Sequence, residues 1–222
     1  MGPLLLSLKL ALVTTGILLL IGVLLAYWLA FSRWRWKVIV EAIIALPLVL
    51  PPTVLGFYLL LFIGQNGWLG RIWETLFKQS LAFSFEALVL ASICYSLPFA
   101  VQPLQASLQG IDPRLLEASF TLGASRWRTF FQVVLPNALP GLWSAIVLSF
   151  THTLGEFGVV LMVGGNIPGQ TRTVSIAIYD LVEALEYQQA NHLSLILLAL
   201  SYAVLVLFYF NNRKAFQLWQ RS

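Results

Sequence analysis

Few residues in this chain could do acid–base or metal chemistry. His152 and Glu156 are four residues apart, a spacing that would place both on one helical face as a proton relay or a pair of metal ligands. Two side chains make an incomplete metal site, and the chain has only two histidines and one cysteine, Cys94. The sequence places no base beside Cys94, and it contains no Gly-x-x-x-x-Gly-Lys-Ser/Thr phosphate loop. We therefore expect no catalytic residues, no metal, no cofactor and no ATPase site.

Polar side chains before Glu156 could instead serve passage of a solute. Ser149, Thr151 and Thr153 are neutral hydrogen-bond donors, which suits weak and transient contact with an anion. Packing of small residues between helices explains these three hydroxyls equally well. An ionisable residue deep in a membrane span is a functional candidate, but the negative charge of Glu156 would repel an anion. We treat all four as pathway or gate candidates and expect Glu156 to act in structure or gating.

The composition places these residues in a membrane protein. Of 222 residues, 59% are apolar and 10% are charged, against about 25% charged in ordinary globular chains. The mean hydropathy is +0.84. Too little polar surface remains to cover a water-facing exterior, so most of the chain must be surrounded by lipid. The formal charge of +4 comes from basic residues in short loops, so nucleic-acid binding is not indicated.

Five apolar runs are long enough to cross a bilayer, which needs roughly 20 helical residues. The sequence predicts an all-α integral membrane protein with one transmembrane domain over 1–222. Its expected spans are about 4–31, 38–63, 81–108, 137–163 and 192–210. Prolines interrupt the second to fourth runs, where they would bend the helices.

Lysine and arginine positions predict the orientation, because cytoplasmic loops carry the excess of positive charge. One side holds nine basic residues: Arg33, Arg35, Lys37, Arg114, Arg126, Arg128, Arg213, Lys214 and Arg221. The other side holds four: Lys9, Arg71, Lys78 and Arg172. We expect the N-terminus outside and the C-terminus in the cytoplasm. The outer segment then carries Asp180, Glu183 and Glu186 and should meet a soluble partner, with Arg172 either a docking residue or a solvated loop arginine.

The cytoplasmic loop at about 109–136 is predicted to fold. Asp112 can cap a helix with Pro113 at its first position, and Gly123 can end it in the left-handed conformation. Ser125 can cap a second helix, and Pro136 should mark the turn into the membrane. Leu115, Ala118, Ser119 and Leu122 form one stripe on the first helix. A helix of about ten residues is marginal alone, so it must pack against something.

This loop resembles the EAA loop of ABC importer permeases. Glu117-Ala118-Ser119, three residues, Gly123, nine residues and Val133-Val134-Leu135-Pro136 fit the family pattern, with Ser119 and Val133 as departures from alanine and isoleucine. The resemblance implies a coupling helix that sits in a cleft of a cytoplasmic ATPase. Its ATPase-coupling residues would be Glu117, Ala118, Ser119, Gly123, Leu135 and Pro136.

Further stretches are similar to molybdate importer permeases: Leu154-Gly155-Glu156-Phe157-Gly158, Gly164-Gly165-Asn166-Ile167-Pro168-Gly169-Gln170-Thr171 and Pro47-Leu48-Val49-Leu50-Pro51-Pro52. The resemblance implies the type I importer permease fold in the cell inner membrane. It also implies a homodimer with two ATPase subunits and an external oxyanion-binding protein. Sulfate and tungstate permeases share related stretches, so these cargoes stay open. An ion-coupled secondary carrier is a weaker alternative, because paired intramembrane charges and an internal repeat are not visible.

Overall fold

The computed structural model describes the backbone of residues 2–219 and the side chains of residues 2–210, and this described part consists of helices joined by turns and loops. The elements are α1 Pro3–Phe31, α2 Lys37–Ala45 continued by a 3-10 turn Leu46–Leu48, α3 Pro52–Ile63, α4 Trp68–Phe77, α5 Phe85–Gln109, α6 Pro113–Thr121, α7 Arg126–Thr129, a π-helical segment Phe130–Val134, α8 Leu135–Gly155, α9 Gly158–Gly164, α10 Val174–Glu183 and α11 Tyr187–Trp219.

Among the described residues, four helical stretches are long and apolar enough to cross a membrane: Pro3–Phe31, Phe85–Gln109, Arg126–Gly155 and Tyr187–Phe210. A fifth span exists if Lys37–Leu48 and Pro52–Ile63 are counted together, although the two halves meet at a bend of 111°. All five predicted apolar runs are therefore mainly helical. The all-α membrane fold predicted from the sequence is confirmed.

The second predicted run is a bent pair of helices and not one straight helix. Pro47, Pro51 and Pro52 lie at the break. Each proline lacks the N–H that would donate to the preceding turn, and its ring disfavours helical backbone in the residue before it. Three prolines within six residues therefore end α2 and restart the chain as α3.

The fourth predicted run also has different limits from those expected. Its helix begins at Arg126 in the loop after α6, continues through the π segment and ends at Gly155, so Pro136 does not mark a turn. Glu156 has an extended backbone (φ −66°, ψ 139°), which separates α8 from the short helix α9. The predicted extension of this span to 163 as one helix is wrong.

Helices α1, α5 and α8 form the centre of the bundle, and the buried apolar residues of the described chain include two core clusters. The outer cluster contains Leu10, Ile63, Leu81, Leu88, Val159, Val163 and Ile176. The inner cluster contains Ala26, Leu29, Val101, Leu108, Ile111, Val134 and Ala138. Helices α1 and α5 contribute residues to both clusters, and the coupling loop adjoins the inner one. The two clusters therefore mark the two ends of the bundle.

We expect Gly141→Ala to destabilise the bundle, because a Cβ there would lie 2.6 Å from the Pro103 carbonyl oxygen of α5 and would also overlap the Ser107 side chain. Overpacking of this kind costs about 1–3 kcal/mol. Gly16→Ala in α1 is the matched control, since a Cβ there meets nothing within 4 Å. Thermal unfolding in detergent should show a lower midpoint for the first variant only. Equal midpoints would contradict the close packing of α5 and α8.

Candidate coupling surface and transport path

The coupling helix α6 has the caps that its sequence predicted. Asp112 Oδ1 accepts a hydrogen bond from the backbone N–H of Arg114 at 2.9 Å, and Pro113 is the first helical residue. Gly123 has φ +78°, a conformation that glycine adopts without steric cost. Ser125 Oγ then accepts from the N–H of Arg128 at 3.3 Å and caps α7. Local sequence therefore fixes where α6 begins and ends and where α7 begins.

The face of α6 that points away from the bundle is not covered by other described residues of the chain. No residue of this helix is buried, and Glu117 and Ala118 are both exposed. Leu122 is 86% exposed and Trp127, at the start of the next helix, is 75% exposed. A short helix with an apolar face in water requires a partner to cover it. The predicted ATPase-facing residues Glu117, Ala118 and Gly123 thus lie on an available surface.

Ser119 turns away from the predicted stripe and towards the chain itself. Its Oγ lies 2.9 Å from Oγ1 of Thr129, which is buried at the base of the fourth span. Leu116 packs against the inner core cluster on the same side. The stripe of Leu115, Ala118 and Leu122 is therefore the free face, and Ser119 joins the coupling helix to the helix that enters the membrane.

Leu135 and Pro136 lie in the first turn of α8, directly after the π segment. The N–H of Leu135 bonds to the carbonyl of Phe130, five residues back. Pro136 has no N–H to offer the preceding turn, which gives a physical reason for the wider π pattern next to it. The amide of Asn137 donates to the Val133 carbonyl at 2.7 Å. The Leu-Pro pair thus modifies a continuous helix instead of ending it.

The pathway candidates on α8 face different surroundings. Ser149 and Thr153 are buried in the bundle, whereas Thr151 is half-buried and donates to its own helix at the Val147 carbonyl, 2.7 Å away. Thr153 Oγ1 lies 3.1 Å from Ser96 Oγ, which also bonds His152 Nδ1 at 2.8 Å. This network holds α8 to α5. Ser96 is a contributor that the sequence analysis missed.

Glu156 occupies the break between α8 and α9 and is 6% exposed. Neither carboxyl oxygen has a hydrogen-bond partner among the described residues, and the adjacent hydroxyl of Ser92 is also unpaired. His152, one turn earlier, stacks on Phe99 with ring centroids 4.1 Å apart. His152 therefore has partners of its own, and among the described residues no hydrogen bond joins it to Glu156 as the relay hypothesis would require. In the part of the chain that the structure describes, no group of three or more metal-ligating side chains occurs.

A polar cleft between α2 and α5 adds residues that the sequence analysis did not single out. It has a volume of about 540 Å³, and its polar lining residues are Glu41, Gln102, Gln105 and Gln109. Gln105 Nε2 donates to Glu41 Oε1 at 2.7 Å. Their helical spacing could have identified the three glutamines, because residues at intervals of three and four share a face. The cleft lies beside the inner cluster, next to the coupling loop.

Arg172 is held by its own loop. Its Nη2 lies 3.2 Å from Asp180 Oδ2, and its Nε donates to Asn166 Oδ1 at 2.6 Å. The amide of Asn166 also donates to the Asp180 carboxylate at 2.7 Å. A hydrogen bond to Glu183 raises the pKa of the exposed Tyr179 on the same helix. The triad of Asn166, Arg172 and Asp180 joins the loop after α9 to α10.

This fold and this loop define a class of membrane protein. Among solved structures, the chain is similar to a chain of the inward-facing MetNI methionine ABC transporter, with a TM-score of 0.73 at 20% identity. The match covers 96% of this chain and 94% of that one. The fold is therefore that of an ABC transporter permease.

The family model described as "Binding-protein-dependent transport system inner membrane component" matches residues 19–219, and the chain belongs to that family. It is 52% identical over 208 residues to the molybdenum transport system permease protein ModB of Azotobacter vinelandii, covering 94% of this chain and 92% of that protein. It is 35% identical over 191 residues to the sulfate transport system permease protein CysT of Escherichia coli strain K12, covering 86% and 68%. The predicted resemblance to ABC importer permeases of the molybdate type is confirmed.

We expect Ser119→Ala to loosen the coupling helix, because it removes the hydroxyl that joins α6 to Thr129 at a cost of about 1 kcal/mol. Hydrogen–deuterium exchange of the α6 amides should become faster. Thr129→Val should have the same effect, and the double variant should add little to either single change. Thr121→Ala is the control, since its hydroxyl bonds only within α6, to the Glu117 carbonyl. Unchanged exchange in Ser119→Ala would contradict this role.

Proposed function

We propose that this chain is the membrane-spanning permease of an ATP-driven importer that carries an oxyanion, molybdate in the first place, into the cytoplasm. The observation that carries this proposal is the 52% identity to a molybdenum permease across 94% of the chain. The 35% identity to a sulfate permease supports sulfate as the alternative cargo. Tungstate remains a further candidate, and an ion-coupled carrier is disfavoured by the family to which the chain belongs.

Charge supports the orientation with the N-terminus outside. Six basic residues adjoin the inner core cluster or the coupling loop: Arg33, Arg35, Lys37, Arg114, Arg126 and Arg128. Four adjoin the outer cluster: Lys9, Arg71, Lys78 and Arg172. By the positive-inside rule the first end faces the cytoplasm. The remaining predicted cytoplasmic group, Arg213, Lys214 and Arg221, lies outside the residues whose side chains the structure describes.

The partners follow from this orientation. Two chains form the translocation unit as a homodimer, each a single permease domain, and each α6 docks with its free face in an ATPase subunit. Hydrolysis of ATP belongs to those subunits, because this sequence lacks a phosphate-binding loop. An oxyanion-binding protein docks at the opposite end, near the loop that Asn166, Arg172 and Asp180 hold in place.

Movement of the ATPase reaches the membrane through a continuous helix. Closure of the nucleotide-bound ATPase dimer shifts α6, and the Ser119–Thr129 contact passes that shift to the helix from Arg126 to Gly155. This helix ends at Gly155, and the break after it lies beside the bent pair α2–α3, where a Cβ at Gly158 would lie 2.8 Å from Pro52. Both interrupted spans therefore move together. Thr151 is the pathway residue of α8, while Ser149, Thr153 and Glu156 hold or gate the bundle.

We expect Gly123→Leu to weaken assembly with the ATPase without preventing membrane insertion. A branched side chain at φ +78° strains the end of α6 and adds bulk to its docking face. Gly169→Leu is the matched control, because Gly169 has the same φ of +78° but lies near the outer end. Of these two glycine variants, only Gly123→Leu should show reduced co-purification with the co-expressed ATPase.

We also expect bulky replacement of Glu117 to leave ATP hydrolysis in vesicles uncoupled from uptake. Normal assembly and uptake in both variants would refute the coupling surface.

Cargo is tested by uptake into proteoliposomes that contain the permease, the ATPase and the binding protein. We expect ATP-dependent uptake of radiolabelled molybdate that excess unlabelled molybdate abolishes. Stronger competition by sulfate than by molybdate would favour the sulfate alternative. Uptake without ATP, driven by an ion gradient alone, would overturn the proposal.

A further inference from the structure

Helix α4 carries an apolar stripe that the described chain leaves uncovered. Trp68, Ile72 and Leu76 lie at intervals of four on one face and are 67%, 39% and 69% exposed. Leu69 and Trp73 lie on an adjacent face and pack against the outer core cluster. The stripe is therefore additional to the surface that α4 uses to fold onto the bundle. A run of three large apolar side chains in water is unfavourable, so another medium or molecule must cover it.

The remaining face of α4 is polar. Arg71, Glu74 and Thr75 are exposed there, followed by the exposed Lys78 that ends the helix in a left-handed conformation. Thr75 bonds only to its own helix, at the Arg71 carbonyl. Two basic residues and one acid leave this face with a charge of +1. Helices that lie in the membrane interface typically have one apolar face and one basic polar face, and tryptophan is common in them. Helix α4 has all three features.

The turn between α3 and α4 holds this stripe in place. A Cβ at Gly67 would clash with the Phe62 carbonyl oxygen, and one at Gly70 would clash with the Gly64 carbonyl oxygen. Only glycine allows α4 to approach the end of α3 so closely at these positions. The direction of α4 is therefore fixed by backbone packing, and its apolar stripe cannot turn inward without breaking these contacts.

Lipid is the occupant that the surroundings favour. Trp68 contacts Phe62 of α3 with ring centroids 5.8 Å apart. Phe62 belongs to an exposed face of α3 that also includes Phe57, Tyr58 and Leu61, on one of the bent halves that together can cross the membrane. The stripe thus continues the exposed apolar surface of a segment that can cross the membrane. Three side chains on one helix are far fewer than the roughly 20–30 residues per side of a stable protein interface.

We propose that α4 lies in the membrane interface at the end of the bundle opposite the coupling helix. Trp68, Ile72 and Leu76 insert among the upper acyl chains, while Arg71 and Lys78 lie at the phospholipid headgroups. This inference does not depend on the transported solute or on ATP.

Spin labels on the full-length chain test this placement directly. Cys94 is the only cysteine, so a Cys94→Ala background allows single labels at Ile72→Cys, Leu76→Cys, Glu74→Cys and Thr75→Cys. The protein is reconstituted into vesicles of phosphatidylethanolamine and phosphatidylglycerol. Collision with oxygen, which concentrates in lipid, is compared with collision with nickel–EDDA, which stays in water. The labels at 74 and 75 are the matched controls on the same helix.

We expect the ratio of oxygen to nickel–EDDA accessibility to exceed one at 72 and 76 and to fall below one at 74 and 75. Immobilised labels at 72 and 76 that neither reagent reaches would overturn the proposal and indicate a protein partner, such as a second copy. High nickel–EDDA accessibility at 72 and 76 would also overturn it and place the stripe in water. Similar accessibility ratios at 72 and 76 would show that neither substitution has disturbed the helix locally.

Discussion

The lipid interior offers no hydrogen-bond partner to the backbone, and this constraint governs where the chain can depart from a helix. Two interruptions occur at membrane depth, at the prolines between Leu48 and Pro52 and at Glu156–Phe157. They lie next to each other, because Pro52 approaches Gly158 and α3 packs along α9. Glu156 is buried at this contact, whereas Val49 in the other break is 81% exposed, so the chain by itself covers only one of the two irregular segments. In transporters, broken helices of this kind typically line the solute site.

The coupling loop is defined more by local helix caps than by burial. Helix α6 has caps at its ends and no buried residue, so local interactions define its limits but tertiary packing does little to stabilise it. The hydrogen bond between Ser119 and Thr129 and the contact of Leu116 with the inner cluster connect it to the bundle. Such a helix is firmly connected on one side and open on the other. That asymmetry suits the proposed role of α6 in transmitting the movement of a separate subunit.

Polar side chains connect the helices that can span the membrane. Ser96 joins His152 and Thr153 across α5 and α8, and Glu41 joins Gln105 across α2 and α5. Helix association in lipid relies on such hydrogen bonds and on close packing, since apolar side chains gain little by leaving lipid for one another. Among the described residues, Glu156 and Ser92 are buried without partners of this kind, and so are Thr14, Thr15 and Ser149; Glu156 differs from these hydroxyls in being ionisable.

The sequence by itself determined the membrane location, the helical runs, the capped coupling loop and the importer family, because these depend on composition, on local backbone preferences and on fixed motif spacing. The predictions from sequence failed where a side-chain direction or a helix limit depended on tertiary contacts. Periodicity placed Ser119 on the stripe with Ala118, but packing turned Ser119 towards Thr129. The limits of the fourth span differed because Pro136 widened the helix to a π pattern and Gly155 ended it before Glu156. Only the tertiary structure decided which hydroxyls face the bundle, which cleft the glutamines line and which side of α4 is free. The reason is that the sequence determines which residues share a helical face but not which element packs against that face.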